Sequence, residues 1–251
     1  MDGPLFWSLA LLASVCVGMG KGGLPAVAML SVPLLSLVIN PVTAAGLLLP
    51  VYIVSDIFGV WAYRHVFDRR VLTIGMAGLT IGTGIGWVTA GVVPEWVVRL
   101  IIGGIGTSFA ASLLLSRGRD AAARPANKAS GLFWTSVSGF TSFVSHSGGP
   151  PWQVWVLPLR LSKLTFAGTT TIAFAYANAL KLVPYAALGQ LGLESLRVAA
   201  VLVLPAVLAV FVGLKLVKIL PEALFFRFVT WALLGVSTKL IWDGLTGGLA
   251  G

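Results

Sequence analysis

Two long apolar runs in this chain are interrupted where a buried helix tolerates interruption least. The first holds Gly18-Met19-Gly20-Lys21-Gly22-Gly23-Leu24-Pro25, the second Ser145-His146-Ser147-Gly148-Gly149-Pro150-Pro151. Glycine and proline break helices. In lipid, a broken backbone leaves N–H and C=O groups that must find partners in protein or in a wet cavity. The charge on Lys21 adds to the cost, because an ionised side chain inside a membrane is expensive. Read as one straight helix, Leu5 to Ile39 would be roughly 52 Å long, against a hydrocarbon core of roughly 30 Å. Two short legs around a buried tip fit better. One such break in each half of a chain points to a transporter binding site; the plainer alternative is a pair of kinked, tightly packed helices.

Composition sets the medium. The chain has 251 residues, 57% of them hydrophobic and 10% charged, with a mean hydropathy of +0.96. A soluble domain carries about 25% charge, so this sequence reads as an all-α polytopic membrane protein with short loops. The lone Cys16 excludes an intramolecular disulfide and a cysteine metal cluster. His65 and His146 are too few for a zinc or haem centre, so no metal and no cofactor are expected. The start, Met1-Asp2-Gly3-Pro4, lacks the basic region of a cleaved signal peptide. The net charge of +9 reads first as topology, with Lys and Arg gathered on the cytoplasmic side, and only second as attraction for anions. Nothing suggests a nucleic-acid partner, and no oligomeric state is signalled.

Six full spans are expected near residues 42–63, 71–91, 96–115, 164–188, 195–214 and 223–242, beside the two broken elements. Gly78, Gly82 and Gly86 repeat every fourth residue and form a small-residue face for helix packing. Residues 116–130 hold Arg117, Arg119, Arg124 and Lys128 and form the seam between an N-terminal unit, 1–115, and a C-terminal unit, 131–251.

The two halves echo each other. Gly22-Gly23-Leu24-Pro25 aligns with Gly148-Gly149-Pro150-Pro151, Pro33 with Pro158, Ala45-Gly46 with Ala167-Gly168, and Pro94-Glu95 with Pro221-Glu222. Gly86 and Gly213 each lie eight residues before those last prolines, and the same register sets Asp56 opposite Asn178. A duplicated unit of four membrane elements follows. If both broken elements are re-entrant, then Arg64, Arg69, Arg70, Arg117, Arg119, Arg124, Lys128, Arg160, Lys163, Lys215 and Lys218 share the cytoplasmic side, and only Arg99 and Arg197 lie near outer ends. Both termini then fall outside, in the periplasm, and the repeats are inverted. Inverted repeats with discontinuous helices are an architecture of alternating access.

The glycine-rich break in the first element, its weaker echo in the fifth and the two four-element halves resemble the TauE/SafE sulfite exporter family of bacterial membrane proteins. The resemblance covers nearly the whole chain. It implies a location in the bacterial inner membrane and movement of a sulfur-containing anion: sulfite, a sulfonate such as taurine or sulfoacetate, or thiosulfate. Lys21 departs from the glycine run common in that family, and His146 and Ser147 stand where many relatives carry other residues.

A small oxyanion needs hydrogen-bond donors and positive potential, which half-helix N-termini supply. The residues expected to line the substrate site are Lys21, Gly22, Gly23, Ser145, His146, Ser147, Gly148, Gly149, Trp152, Gln153 and Asn178, with the two breaks meeting near the midplane. Asp56 and Lys181 are the other intramembrane charges, expected either to pair or to involve Asp56 in carrying a coupling proton; Lys21 has an ion pair with Asp56 as its structural alternative. With the cell interior negative, moving one anionic charge outward gains about 2.3 kcal/mol per 100 mV, so export needs no ATP. The rival readings are an anion channel and, more remotely, an intramembrane hydrolase built on Ser147. Neighbouring His146 is badly placed to activate that serine, so no catalytic residue is expected and the chain reads as a transporter, not an enzyme.

Overall fold

The structure, a computed structural model, describes residues 3–89, 92–115, 123–188 and 192–249. All regular structure among them is helical: α1 (Pro4–Lys21), α2 (Pro25–Ala28), α3 (Ser31–Leu35), α4 (Pro41–Tyr63), α5 (Arg69–Val88), α6 (Glu95–Leu115), α7 (Lys128–Ser145), α8 (Gly149–Val156) with a 3-10 turn at Leu157–Leu159, α9 (Lys163–Ala187), α10 (Leu193–Ile219) and α11 (Glu222–Leu249). Arg117 and Arg119 of the basic linker lie outside the described residues.

Six of these helices are long and apolar enough to cross a membrane: α1, α4, α5, α6, α10 and α11. Five coincide with expected spans. The sixth is the first leg of the first broken element, whose 18 residues reach roughly 27 Å. The expected span at 164–188 is the 25-residue α9; its threonines, Asn178 and Lys181 keep it below that apolarity. Large apolar side chains face outward, as lipid requires. On α10, Leu204, Leu208, Phe211 and Val212 are exposed while Leu202, Ala206 and Val210 are buried, the reverse of a water-soluble surface. The protein is a multi-pass membrane protein.

Two compact units make up the chain, Met1–Phe67 with Leu164–Leu220, and Asp68–Lys163 with Pro221–Gly251. In the first, Phe6, Ala10, Ala13 and Val17 form a helical stripe on α1 that packs with Leu47, Leu48 and Val51 of α4 and Leu202 and Ala206 of α10. The α1–α10 seam is built from small residues. A Cβ on Gly18 would strike the Ala206 carbonyl, and one on Gly22 the Val210 carbonyl and the backbone of Gly213. Such close approach needs glycine. After the break, α2 folds back on α1, and a Cβ at Gly20 would land on Ala28. The apolar leg expected over 24–39 is two short helices rather than one, with Pro25 opening α2 and Pro33 inside α3.

In the second unit α5 packs along α7 and α6 along α11. The spaced glycines of α5 are the contact face: Gly78 lies on Thr135 and the Leu132 carbonyl, Gly82 on the Ser136 carbonyl, and Gly86 on Phe143. Asp68 caps α5 by accepting from the Val71 amide at 2.8 Å, and Asn127 caps α7 by accepting from the Ser130 amide at 3.1 Å. Val98, Ile102 and Leu240 form the α6–α11 core.

Candidate functional site

The first break ends α1 by a glycine-dependent closure. The Leu24 amide donates to the Met19 carbonyl at 3.2 Å and the Gly23 amide to the Gly20 carbonyl at 3.1 Å, with Gly23 at φ +107°. This is the Schellman arrangement, and only glycine takes that φ without strain. The Gly22 amide donates to the Gly18 carbonyl at 2.9 Å. The amides of Gly22 and Gly23, expected to offer hydrogen bonds to an anion, are therefore committed to the end of α1. The Gly22 carbonyl accepts from the Tyr63 hydroxyl at 2.8 Å, and the Lys21 carbonyl accepts from Thr171 Oγ1 at 3.5 Å.

Side chains supply what the backbone does not. Lys21, the last residue of α1, is buried, and its Nζ sits 2.6 Å from Asp56 Oδ1 on α4. The other carboxylate oxygen of Asp56 accepts from Asn178 Nδ2 on α9 at 2.8 Å. The Lys21 ammonium also lies over the Tyr52 ring, 5.1 Å from its centroid, a favourable placement for a cation. The Tyr52 hydroxyl shares a 2.5 Å hydrogen bond with Ser31 Oγ and donates to the Ala28 carbonyl at 3.1 Å, which ties the short return helices to α4. One turn beyond Asn178, Lys181 is 2% exposed. It stands within electrostatic reach of both Asp56 and Lys21. Among the described residues it has no hydrogen bond and no ion pair of its own. Asp56 thus pairs with Lys21, and Lys181 is left over. Two lysines and one carboxylate make up this buried cluster.

The second break is closed by hydroxyls. His146 ends α7 at φ +53°, and the Ser147 amide donates to the Thr141 carbonyl at 3.2 Å. The Gly148 carbonyl accepts from Ser138 Oγ at 2.6 Å, and the Ser147 carbonyl accepts from Thr141 Oγ1 at 3.2 Å. Pro150 and Pro151 at the start of α8 have no amide to offer. His146, Ser147 and Trp152 are each engaged by neighbours, and Trp152 meets Trp155 edge-on at 6.2 Å. The Ser145 side chain lies outside the described residues. Gln153, 1% exposed, is the exception: neither its Nε2 nor its Oε1 has a partner among the described residues. Both ends of a buried amide seldom go unpaired without a reason.

A family model described as "Sulfite exporter TauE/SafE" matches residues 10–240. The chain belongs to the TauE/SafE family. No match was found among curated proteins or among solved structures. The matched range takes in both breaks and every charged member of the first cluster. TauE/SafE is a transporter family, which agrees with a buried charge cluster rather than with a nucleophile and base. No group of three or more potential metal ligands is present among the described residues.

Sequence reasoning missed the groups that hold the breaks in shape: Tyr52, Tyr63 and Thr171 at the first, Ser138 and Thr141 at the second. A signal existed for the last two. They lie three apart on α7, on one face, just before carbonyls that a broken helix leaves unpaired.

Proposed function

We propose that this TauE/SafE protein is a secondary transporter that moves a small sulfur-containing oxyanion, sulfite or an organosulfonate such as sulfoacetate or taurine, across the bacterial inner membrane, with both termini periplasmic and outward movement driven by the membrane potential. The observation that carries the reading is the buried cluster of Lys21, Asp56, Asn178 and Lys181 at a helix break, with two lysines to one carboxylate. Positive potential inside a spanning segment is what an anion pathway needs. In the second unit, Gln153 offers an unclaimed amide donor beside its break, and the His146–Gly149 turn provides a polar lining.

Alternating access by inverted halves is supported by helix pairing. Under the sequence register α1 corresponds to α7 and α10 to α5. In one unit α1 packs on α10, and in the other α7 packs on α5, so each pair is the image of the other. Asp56 and Asn178, equivalent positions of the repeat, are hydrogen-bonded to each other. The engagement of Asp56 on both oxygens speaks for a fixed structural charge over a proton carrier.

The test is flux of labelled sulfite, sulfoacetate and taurine in proteoliposomes, with membrane potential and pH gradient set separately. Potential-driven flux of sulfite or sulfoacetate, unaffected by the pH gradient, is expected, while taurine, a net-neutral zwitterion, should move without responding to the potential. Unitary currents in a planar bilayer would favour a channel, and no flux under either gradient would remove the transport reading.

A further inference from the structure

We propose that the groove between the ends of α4 and α10 holds an anionic phospholipid, with its phosphate on Lys215 and Lys218 and its acyl chains along Trp61 and Phe211. The site is separate from the charge cluster of the first break and does not depend on what the protein transports.

The groove lies within the first unit and has a volume of about 600 Å³, within the range of ligand sites. The last turns of α4 and α10 line it, with the start of α9. One turn before Trp61, Phe58 meets Phe211 edge-on with ring centroids 6.1 Å apart. The two helices touch there, and the groove opens between that contact and the helix ends. Along α10, Leu204, Leu208, Phe211, Lys215 and Lys218 recur at every third or fourth residue and so share one face. The first three are exposed apolar side chains, and the two lysines that follow are exposed as well. From Leu204 to Lys218 that face runs roughly 21 Å. It is apolar first and cationic at its end, the order in which a lipid leaflet presents chain and phosphate.

Across the groove, exposed Trp61 is the kind of side chain that sits at headgroup level. The Arg64 guanidinium lies over its ring, 4.8 Å from the centroid, and adds a third cation at the same end. Lys218 already has a partner in the protein, which the three donors of an ammonium leave room for. No carboxylate lines this groove among the described residues. A groove of about 560 Å³ in the other unit has Glu222 in its lining with Arg160 and Arg227, and that carboxylate offsets part of the charge. Basic pockets between spanning helices suit anionic headgroups. A small free anion would use the lysines and gain nothing from the aromatic wall, whereas a phospholipid uses both. Tyr63 also lines the groove, and its hydroxyl holds the Gly22 carbonyl at 2.8 Å. A seated lipid therefore packs on a residue that braces the first break.

The experiment incubates the full-length protein in mild detergent with phosphatidylglycerol or phosphatidylcholine and reads retained lipid by native mass spectrometry and melting temperature alongside. Wild type is expected to retain phosphatidylglycerol about tenfold or more over phosphatidylcholine, and to melt higher with it. Lys215→Gln/Lys218→Gln should weaken that retention by about thirtyfold, while Lys215→Arg/Lys218→Arg keeps it. Arg160→Gln/Arg227→Gln removes the same charge from the other groove and should behave as wild type. Equal losses in the two glutamine double variants would reveal general attraction to a basic surface and overturn the site. So would undiminished retention in Lys215→Gln/Lys218→Gln, or a wild type without preference between the lipids. Sulfoacetate flux in pure phosphatidylcholine vesicles tests the rival occupant. Lys215→Gln/Lys218→Gln is expected to match wild type there, and a loss of flux would make the groove an entry for the transported anion and overturn the proposal. Retention and flux are read separately, so the lipid site and the transport reading can each fail alone.

Discussion

The two breaks carry similar sequence, Gly22-Gly23-Leu24-Pro25 and Gly148-Gly149-Pro150-Pro151, and solve the same problem in different currencies. At the first, the backbone closes on itself: Gly23 at positive φ returns two amides to α1, and the polar side chains there form an ion pair and its supports. At the second, hydroxyls from the preceding helix, Ser138 and Thr141, take up the loose carbonyls. No ionised side chain of Lys, Arg, Asp or Glu type lies between Ser145 and Pro151. The first break therefore concentrates charge and the second distributes neutral hydrogen bonds. The following perturbations separate the shared geometry from the divergent chemistry, in decreasing order of expected effect.

Geometry comes first, because both units dock the broken helix through glycine. Gly18→Val in α1 and Gly82→Val in α5 each drive a side chain into a backbone carbonyl, of Ala206 and Ser136 respectively. Both should lose about 3 kcal/mol or more, read as loss of the folded monomer on size exclusion and a lowered melting temperature in detergent. Gly84→Ala, where a Cβ meets nothing within 4 Å, should be neutral or slightly stabilising. Unequal losses at Gly18 and Gly82 would show that the two seams are not equivalent.

Charge separates the breaks. Asp56→Ala leaves Lys21 buried without its counter-ion and should cost about 3–5 kcal/mol. Replacing the pair together, Lys21→Met with Asp56→Leu, should recover most of that, since a buried ion pair exchanged for apolar side chains is often near neutral. No single substitution between Ser145 and Pro151 should show this pattern of loss and recovery in a thermal unfolding series. If the paired replacement is as unstable as Asp56→Ala, the first break needs its charges for folding and not only for the anion.

Smaller effects come from the hydrogen bonds that hold each break. Tyr63→Phe removes the donor to the Gly22 carbonyl, and Ser138→Ala the donor to the Gly148 carbonyl. Tyr63→Phe leaves a buried acceptor unpaired and should cost about 1–2 kcal/mol; Ser138→Ala should cost less, because the Gly148 carbonyl keeps the Trp152 amide at 3.3 Å. Denaturant titration of the two variants places the closures on one scale; a cost at Ser138 alone would mean that the glycine closure of the first break is self-sufficient.

How much of this was legible beforehand follows the range of the interactions. The breaks could be read because glycine, proline and Lys21 conflict with an apolar helix within a few residues. The helical class followed from hydropathy, and the glycine face of α5 from its four-residue period. The division of the chain into compact units that each join segments from both sequence halves depends on contacts between helices distant in sequence, for which one sequence carries no periodic signal. The charge cluster was half legible. Lys21, Asp56, Asn178 and Lys181 stand out as polar residues in apolar spans, but which lysine takes Asp56 is decided by where α1 ends relative to α4. The closure amides were misleading for the same reason: a Gly-Gly pair before an apolar leg looks like a helix start, while here Gly22 and Gly23 complete the helix before it. Tyr52 and Tyr63 look like ordinary membrane aromatics until their hydroxyls are seen to meet Ser31 and the Gly22 carbonyl.

The least disruptive change bears most directly on function at the second break. Gln153 is buried with neither end of its amide partnered among the described residues. Leaving such a group unsatisfied is a standing cost, whereas an apolar side chain of similar size in its place is near neutral or stabilising. Gln153→Leu is therefore expected to melt at the same temperature as wild type or above it. If the amide serves the anion, the same variant should lose sulfonate flux by about tenfold or more, the equivalent of a 1.4 kcal/mol interaction. Stability and transport then move apart, which a packing residue cannot do: a residue needed only for the fold would lose both together. Flux preserved along with raised stability would make Gln153 an unneeded polar residue and confine the anion's contacts to the charged break; flux lost with stability kept assigns the neutral break a share in handling the substrate.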